Sequence, residues 1–240
     1  MQSLTYTVPG WWAAEGSMPG LLQKLIDWRR GITLGPDTEA ALERGRFAVV
    51  DMELTGLNCR KDSIVSIGCL KMTGTRIDVG DFFYEVVSPD SELTAESVVV
   101  HGIMPSDTVG QPLVRKTLER LIAFTSGCVL VGHFFSLDLG FLKREVRKIY
   151  GLPLRTPALD TLAVYEWILQ HSEGIYRHCA TPDDRRDLFS LAAKYRIEVS
   201  GAHNALMDAY VTAQLFQRFL CVLPELGVKS VKDLLRIGRP

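Results

Sequence analysis

Asp51 and Glu53 stand two residues apart at the end of an apolar run, in VVDMELTGL, residues 49–57. A β-strand alternates its side chains between two faces, so these carboxylates point the same way and can grip the same cation. Burying an ionised carboxylate costs several kcal/mol unless something pairs with it. Hard oxygen ligands suit Mg²⁺ or Mn²⁺. Read alone, the pair also fits the point where a strand leaves the core for solvent. The TGL that follows supplies a turn at Gly56, with backbone amides free to meet a ligand.

Two further acids occupy comparable settings. Asp138, in VGHFFSLDLGFL, follows a buried strand at a helix start, where an N-cap is the alternative role. Asp208, in HNALMD, lies in an amphipathic helix, where a solvated position is the alternative. Leu206, Val211 and Leu215, with Ala205, Ala209 and Ala213, place much of that helix against a core. His203 precedes Asp208 by five residues, about 140° around a helix of 3.6 residues per turn. To share a site with Asp208 it must therefore lie before the helix, on the VSGAH loop, where Gly201 lets the chain swing the ring inward.

Around these residues the chain divides into three parts. Residues 1–45 read as an N-terminal helical leader, with Leu21, Leu22, Leu25, Ile26 and Trp28 on one helical face and a second short helix, DTEAALERG, capped at Asp37 or Thr38. That stripe packs on the protein's own domain or serves a partner or self-association. Residues 46–225 form the main domain. Strands are expected at RFAVVDME, SIVSIGCLKM and DFFYEVVS as an antiparallel meander. A helix follows at LVRKTLERLIAF, a buried strand at CVLVGH, and a helix at DLGFLKREVRKIYG closed by Gly151. Helices at LDTLAVYEWILQ, RRDLFSLAAKYR and ALMDAYVTAQLFQRFLCVL complete an α/β assembly, a mixed sheet flanked by helices. Residues 226–240 are a short basic amphipathic tail.

The 240 residues, 47% hydrophobic and 23% charged, exclude a disordered or fibrous chain. A net charge of −1 gives no long-range field to attract a polyanion, so nucleic-acid affinity must come from local basic residues or bound metal. Cys59, Cys69, Cys128, Cys179 and Cys221 are scattered without a C-x-x-C, which argues against a zinc knuckle and for the reduced thiols of a cytoplasmic protein. No stretch reads as a secretory signal or a membrane span. Lys143, Arg144, Arg147 and Lys148 form a basic cluster on the helix that Asp138 opens, a solvated face by default and a phosphate contact otherwise.

VVDMELTGLNCRKDSIVSIGCLKM, VGHFFSLDLGFLKRE and HNALMDAYVTAQLF together resemble, in order and spacing, the three motifs of the DEDDh 3′-5′ exonucleases, the group containing the proofreading epsilon subunit of bacterial DNA polymerase III. The similarity covers about residues 46–220. It implies a ribonuclease-H-like fold, a mixed five-stranded sheet flanked by helices. It also implies that Asp51, Glu53, Asp138 and Asp208 hold two divalent cations, Mg²⁺ or Mn²⁺, with His203 as general base. Such a site suits an in-line phosphodiester hydrolysis that releases nucleoside 5′-monophosphates, and an imidazole exchanges protons near neutral pH.

By the same resemblance, Leu54, Thr55, Gly56, His101, Phe134 and Leu137 lie near the terminal nucleotide. The second motif usually reads His-Asn-x-x-Phe-Asp, so Phe134 replaces an amide and Leu137 an aromatic; a phenylalanine can stack on a base instead of hydrogen-bonding. The expected substrate is the 3′ end of single-stranded or frayed DNA. RNA trimming, or a non-catalytic binding module, is the alternative. A DNA polymerase is the implied partner, and no membrane is.

Overall fold

The computed structural model describes residues 35–172, 185–199, 201 and 203–240. Contacts divide the chain into residues 1–34 and 35–240. The apolar stripe from Leu21 to Trp28 lies outside the described residues.

Three strands open the domain, β1 (Arg46–Leu54), β2 (Ile64–Thr73) and β3 (Arg76–Val86), joined as the expected antiparallel meander. After the helices α1 (Ala95–His101), α2 (Pro105–Thr108) and α3 (Val114–Phe124) come β4 (Val129–Gly132) and α4 (Ser136–Tyr150). Then follow β5 (Ala158–Asp160), α5 (Thr161–His171), α6 (Leu188–Lys194), α7 (Ala205–Val222) and α8 (Val231–Ile237). The sheet order is β3-β2-β1-β4-β5, with β4 parallel to β1 and β5 parallel to β4. This is the mixed five-stranded, ribonuclease-H-like sheet.

Strand periodicity divides the core. Ala48, Val50 and Met52 of β1 enter one cluster with Leu118 and Leu121 of α3 and Phe141 and Leu142 of α4. Phe47 and Val49 enter the other, with Val164 and Ile168 of α5 and Phe216 and Phe219 of α7. Asp51 and Glu53 continue the face of Phe47 and Val49, and so look toward α7. β4 pairs with β1 only along Phe47–Val49, so the acids project past their parallel neighbour. Ligands of open α/β sheets bind in this crevice beyond the carboxyl ends of parallel strands.

The expected helix over residues 37–45 is replaced by a turn and a three-residue 3-10 helix, Leu42–Arg44. A long-range pairing takes its hydrogen bonds. The Val231 and Lys232 amides donate to the Ala40 and Thr38 carbonyls, and the Leu42 amide to the Lys229 carbonyl. Residues 226–240 therefore stitch onto residues 38–42 and bury Val228, Val231 and Leu234. Among the described residues, no helix is long and apolar enough to cross a membrane.

Candidate active site

Asp51 faces Gly68 across the β1–β2 pair, and Glu53 faces Ser66. A Cβ on Gly68 would lie 2.3 Å from the Ala205 carbonyl carbon and oxygen and from the Leu206 nitrogen. Glycine there lets the first turn of α7 rest on β2. Asn204 caps that turn, its Oδ1 accepting from the Leu206 amide at 3.1 Å and the Met207 amide at 3.3 Å. Asp208 is thereby carried down onto β1. One carboxylate oxygen each from Asp51, Glu53 and Asp208 lie within 4.8 Å of one another.

The alternative roles for the two helical acids are removed. Asp138 is the third residue of α4 and buried, behind a Phe135 N-cap, so it does not cap the helix. It lines the same cleft as Asp51 and Glu53. Asp208 is buried rather than solvated. Its Oδ2 accepts from the His203 amide at 3.2 Å, while its Oδ1 is buried without a partner.

The electrostatics follow from this crowding. Burial, then the charges of Asp138, Glu53 and Asp208, hold Asp51 well above the usual carboxylate range. Burial and Asp208 push Glu53 up to about 7. Burial raises Asp208 to about 6, against the lowering effect of the His203 amide. Asp138 is raised well above its ordinary value by burial, Glu53 and Asp160. A buried orphan oxygen amid mutually repelling carboxylates is the donor set that a hard divalent cation satisfies. The residues present fit the metal that the resemblance implies.

A pH dependence follows. Glu53 and Asp208 have raised values in the fold, so their contribution to stability is fully present below their unfolded values and lost as pH rises through about 6 to 7. Thermal melts of metal-free protein should therefore show a contribution from this site that falls from about pH 4, where unfolded carboxylates titrate, to about pH 7, and is flat above that. Mn²⁺ should reverse it, binding more tightly at pH 8 as protons leave the ligands. At about 100 times its Kd a cation adds about 2.7 kcal/mol, or about 5–10 °C in Tm for a domain of this size. Melts with equal Tm with and without Mn²⁺ up to pH 8 would remove the metal site.

His203 precedes α7, as the spacing required, and its own backbone is left-handed at φ +62° beside Gly201 at +73°. Its amide is tied to Asp208 while its ring is exposed, edge-on to Phe189 at 5.4 Å between centroids. The imidazole thus lies beside the carboxylate cluster and outside the group of three.

The cleft occupies about 470 Å³ and is lined by Leu54, Thr55, Gly56, His101, Phe134 and Leu137, together with three of the acids. Thr55 is committed internally. Its Oγ1 accepts from the Ser63 amide at 2.9 Å and shares a 2.8 Å bond with Ser91 Oγ. Gly56 lies against Asp62, whose Oδ2 would meet a Cβ there at 2.4 Å. His101 Nδ1 accepts from the Ile103 amide at 3.1 Å, so the neutral ring carries its proton on Nε2, a buried atom without a partner. Burial lowers the pKa of this ring and favours that neutral form.

Two of the four basic residues on α4 are engaged elsewhere. Arg144 donates to the Cys59 and Asp62 carbonyls and pairs with Glu145 at 2.7 Å, pinning the loop after β1. Lys148 pairs with Asp90 at 2.6 Å. Two positions that organise the site were not singled out from the sequence. Gly68 carried a signal, a glycine inside a strand, which marks close backbone approach. Asp160 carried only the weak signal of an acid before a helix.

Comparison with known proteins agrees with this architecture. The sequence profile of the family described as Exonuclease (RNase_T) matches residues 48–216. The chain is 32% identical over 198 residues to the DNA polymerase III PolC-type of Caldanaerobacter subterraneus subsp. tengcongensis, covering 82% of this chain and 13% of that protein. It is 27% identical over 176 residues to the DNA polymerase III subunit epsilon of Aquifex aeolicus, covering 73% of this chain and 81% of that protein. The chain thus spans about an eighth of the PolC-type relative and most of the epsilon subunit.

Among solved structures, E. coli exonuclease I in complex with a dT13 oligonucleotide shares the fold at a TM-score of 0.65 and 20% identity, over 76% of this chain and 42% of that one. Exonuclease X in complex with 5′ overhanging duplex DNA does so at a TM-score of 0.56 and 18% identity, over 80% and 98%. With Asp51, Glu53, Asp138, His203 and Asp208 all inside the matched span, the chain belongs to the DEDDh-type 3′-5′ exonuclease family.

Proposed function

We propose that this protein removes nucleotides one at a time from the 3′ end of single-stranded or frayed DNA by hydrolysis, releasing nucleoside 5′-monophosphates. The observation that carries the reading is the convergence of Asp51, Glu53 and Asp208 oxygens within 4.8 Å, beside the cleft that Asp138 shares with Asp51 and Glu53. These four carboxylates would hold two divalent cations, Mg²⁺ or Mn²⁺. Bound there, such ions supply water activation and charge neutralisation at the phosphate and the departing 3′-oxygen.

The chain's own residues do the rest. His203, with its backbone tied to Asp208 and its ring open to solvent, takes the proton of the attacking water at the imidazole. Leu54, Gly56 and Leu137 form walls for the terminal nucleotide, with Thr55 holding the loop. His101 offers its Nε2 hydrogen to a substrate oxygen, which would satisfy an atom otherwise left buried without a partner. DNA is favoured as substrate because exonuclease I and exonuclease X were both solved with DNA. A DNA polymerase is the proposed partner, because the relatives are polymerase III proteins.

Matched single-stranded DNA and RNA, labelled at either end and incubated with Mg²⁺ or Mn²⁺, test the reading. The expected result is a descending ladder from 5′-labelled DNA and immediate release of labelled mononucleotide from 3′-labelled DNA. Intact substrates, or loss of the 5′ label first, would overturn it. Faster digestion of RNA would move the substrate to RNA.

A further inference from the structure

Phe134 is a half-exposed phenylalanine whose backbone is left-handed, at φ +50°. Among the described residues only Phe134, Arg196 and His203 combine a side chain with positive φ, so two of the three border the candidate site. Non-glycine residues adopt this region rarely, and a bulky one does so under strain that surrounding contacts must hold.

Those contacts converge on Asp160. Its Oδ1 accepts from the Phe134 amide at 3.1 Å and its Oδ2 from the Phe135 amide at 3.0 Å. The same Oδ1 caps α5 by accepting from the Leu162 amide at 2.9 Å. Asp160 is held in turn at the end of β5, its own amide donating to the Gly238 carbonyl at 2.8 Å.

The ring has a neighbour on one side. Phe134 meets the His133 imidazole edge-on, with centroids 4.9 Å apart. Both His133 nitrogens are engaged, at 2.8 Å to Thr161 Oγ1 and 2.8 Å to the Arg186 carbonyl. Below, Phe135 is fully buried, packed so close to Gly132 that a Cβ there would lie 2.1 Å from its ring. Phe135 supplies the loop's core aromatic, which leaves Phe134 turned to the cleft. Leu57 and Val100, both exposed, line that cleft too. Phe134, Leu57 and Val100 thus give the rim an apolar side, next to the exposed Thr94 and Glu96, while the floor is acidic, which matches a nucleotide with its base on that apolar side and its phosphate at the floor.

We infer that Asp160 is a positioning residue whose carboxylate clamps Phe134 in the left-handed conformation, so that the ring forms a stacking surface for the unpaired 3′-terminal base. The inference rests on the exonuclease reading and deepens it: the enzyme selects 3′ ends that present a free base, whatever its identity, since every base has a π-face.

Two readouts test it on the full chain. In the first, an oligodeoxynucleotide with 2-aminopurine at its 3′ end is mixed with protein in a stopped flow, and quenching by stacking is read before cleavage. Wild type and Phe134→Tyr should quench; Phe134→Ala and Asp160→Asn should not. In the second, KM is compared for matched strands ending in a normal nucleotide or an abasic one. Wild type should prefer the base by about 10-fold, within the range set by stacking on an aromatic. Phe134→Ala and Asp160→Asn should each erase that preference, with no further loss when combined.

Asp160→Ser retains a cap for α5 yet is too short to hold residues 134 and 135, so it serves where Asp160→Asn folds poorly. Absence of quenching by wild type, or an unchanged base preference in Phe134→Ala, would overturn the stacking role. An Asp160 variant that slows normal and abasic ends equally would reduce Asp160 to a structural part. Failure of the exonuclease reading would look different, as no cleavage of either end.

Discussion

Asp208→Asn lowers the rate of 3′-end hydrolysis by about 10³-fold or more, the loss of several kcal/mol of metal-borne charge stabilisation, and at the same time leaves the metal-free protein at pH 8 more stable than wild type. The two effects have opposite signs for one reason. Asp208 Oδ1 is buried without a partner, and burial lifts the group to about 6, so at pH 8 its ionised form opposes the fold. An amide keeps the oxygen that accepts the His203 amide and removes the charge. A structural carboxylate would behave the other way, losing stability with the charge. Steady-state rates and melts in EDTA at pH 8 separate the cases. A variant that is active, or less stable than wild type in EDTA, contradicts the account.

Gly68→Ala should slow the enzyme by about 10²-fold without touching an acid. The added carbon would lie 2.3 Å from the backbone of Ala205 and Leu206, and backbone cannot step aside as a flexible side chain could. The start of α7 must lift, at an overpacking cost of about 1–3 kcal/mol. Asp208 is carried with it. A displacement of about 1 Å at a catalytic group costs about 10²-fold in rate. Gly80→Ala is the control, since a Cβ there meets only Asp78 Oδ1 at 3.9 Å. Urea melts and rates of the pair, measured side by side, should show loss of both stability and activity for Gly68→Ala alone.

The contrast between these residues shows what the sequence disclosed. Asp51 and Glu53 were legible because a two-residue repeat on a strand is a local rule, and the structure keeps it by continuing the face of Phe47 and Val49. His203 was placed ahead of α7 by helical arithmetic together with the premise that it shares a site with Asp208, and the helix does begin after it. Gly68 and Asp160 act instead through partners far along the chain, at Ala205 and at Phe134. No local pattern announces such partners. The three residues of β5 were too short to register against the helix that follows. The segment at 37–45 had helical periodicity, yet pairing with residues 229–232 took its hydrogen bonds.

The claim on which everything else depends is that the buried carboxylates are a divalent-cation site, and calorimetric titration of Mn²⁺ into metal-free protein at pH 7.5 tests it most directly. The account predicts saturable binding with protons released to the buffer, greatly weakened in Asp51→Asn and in Asp208→Asn. Absence of binding by wild type, or equal binding by both variants, would contradict it.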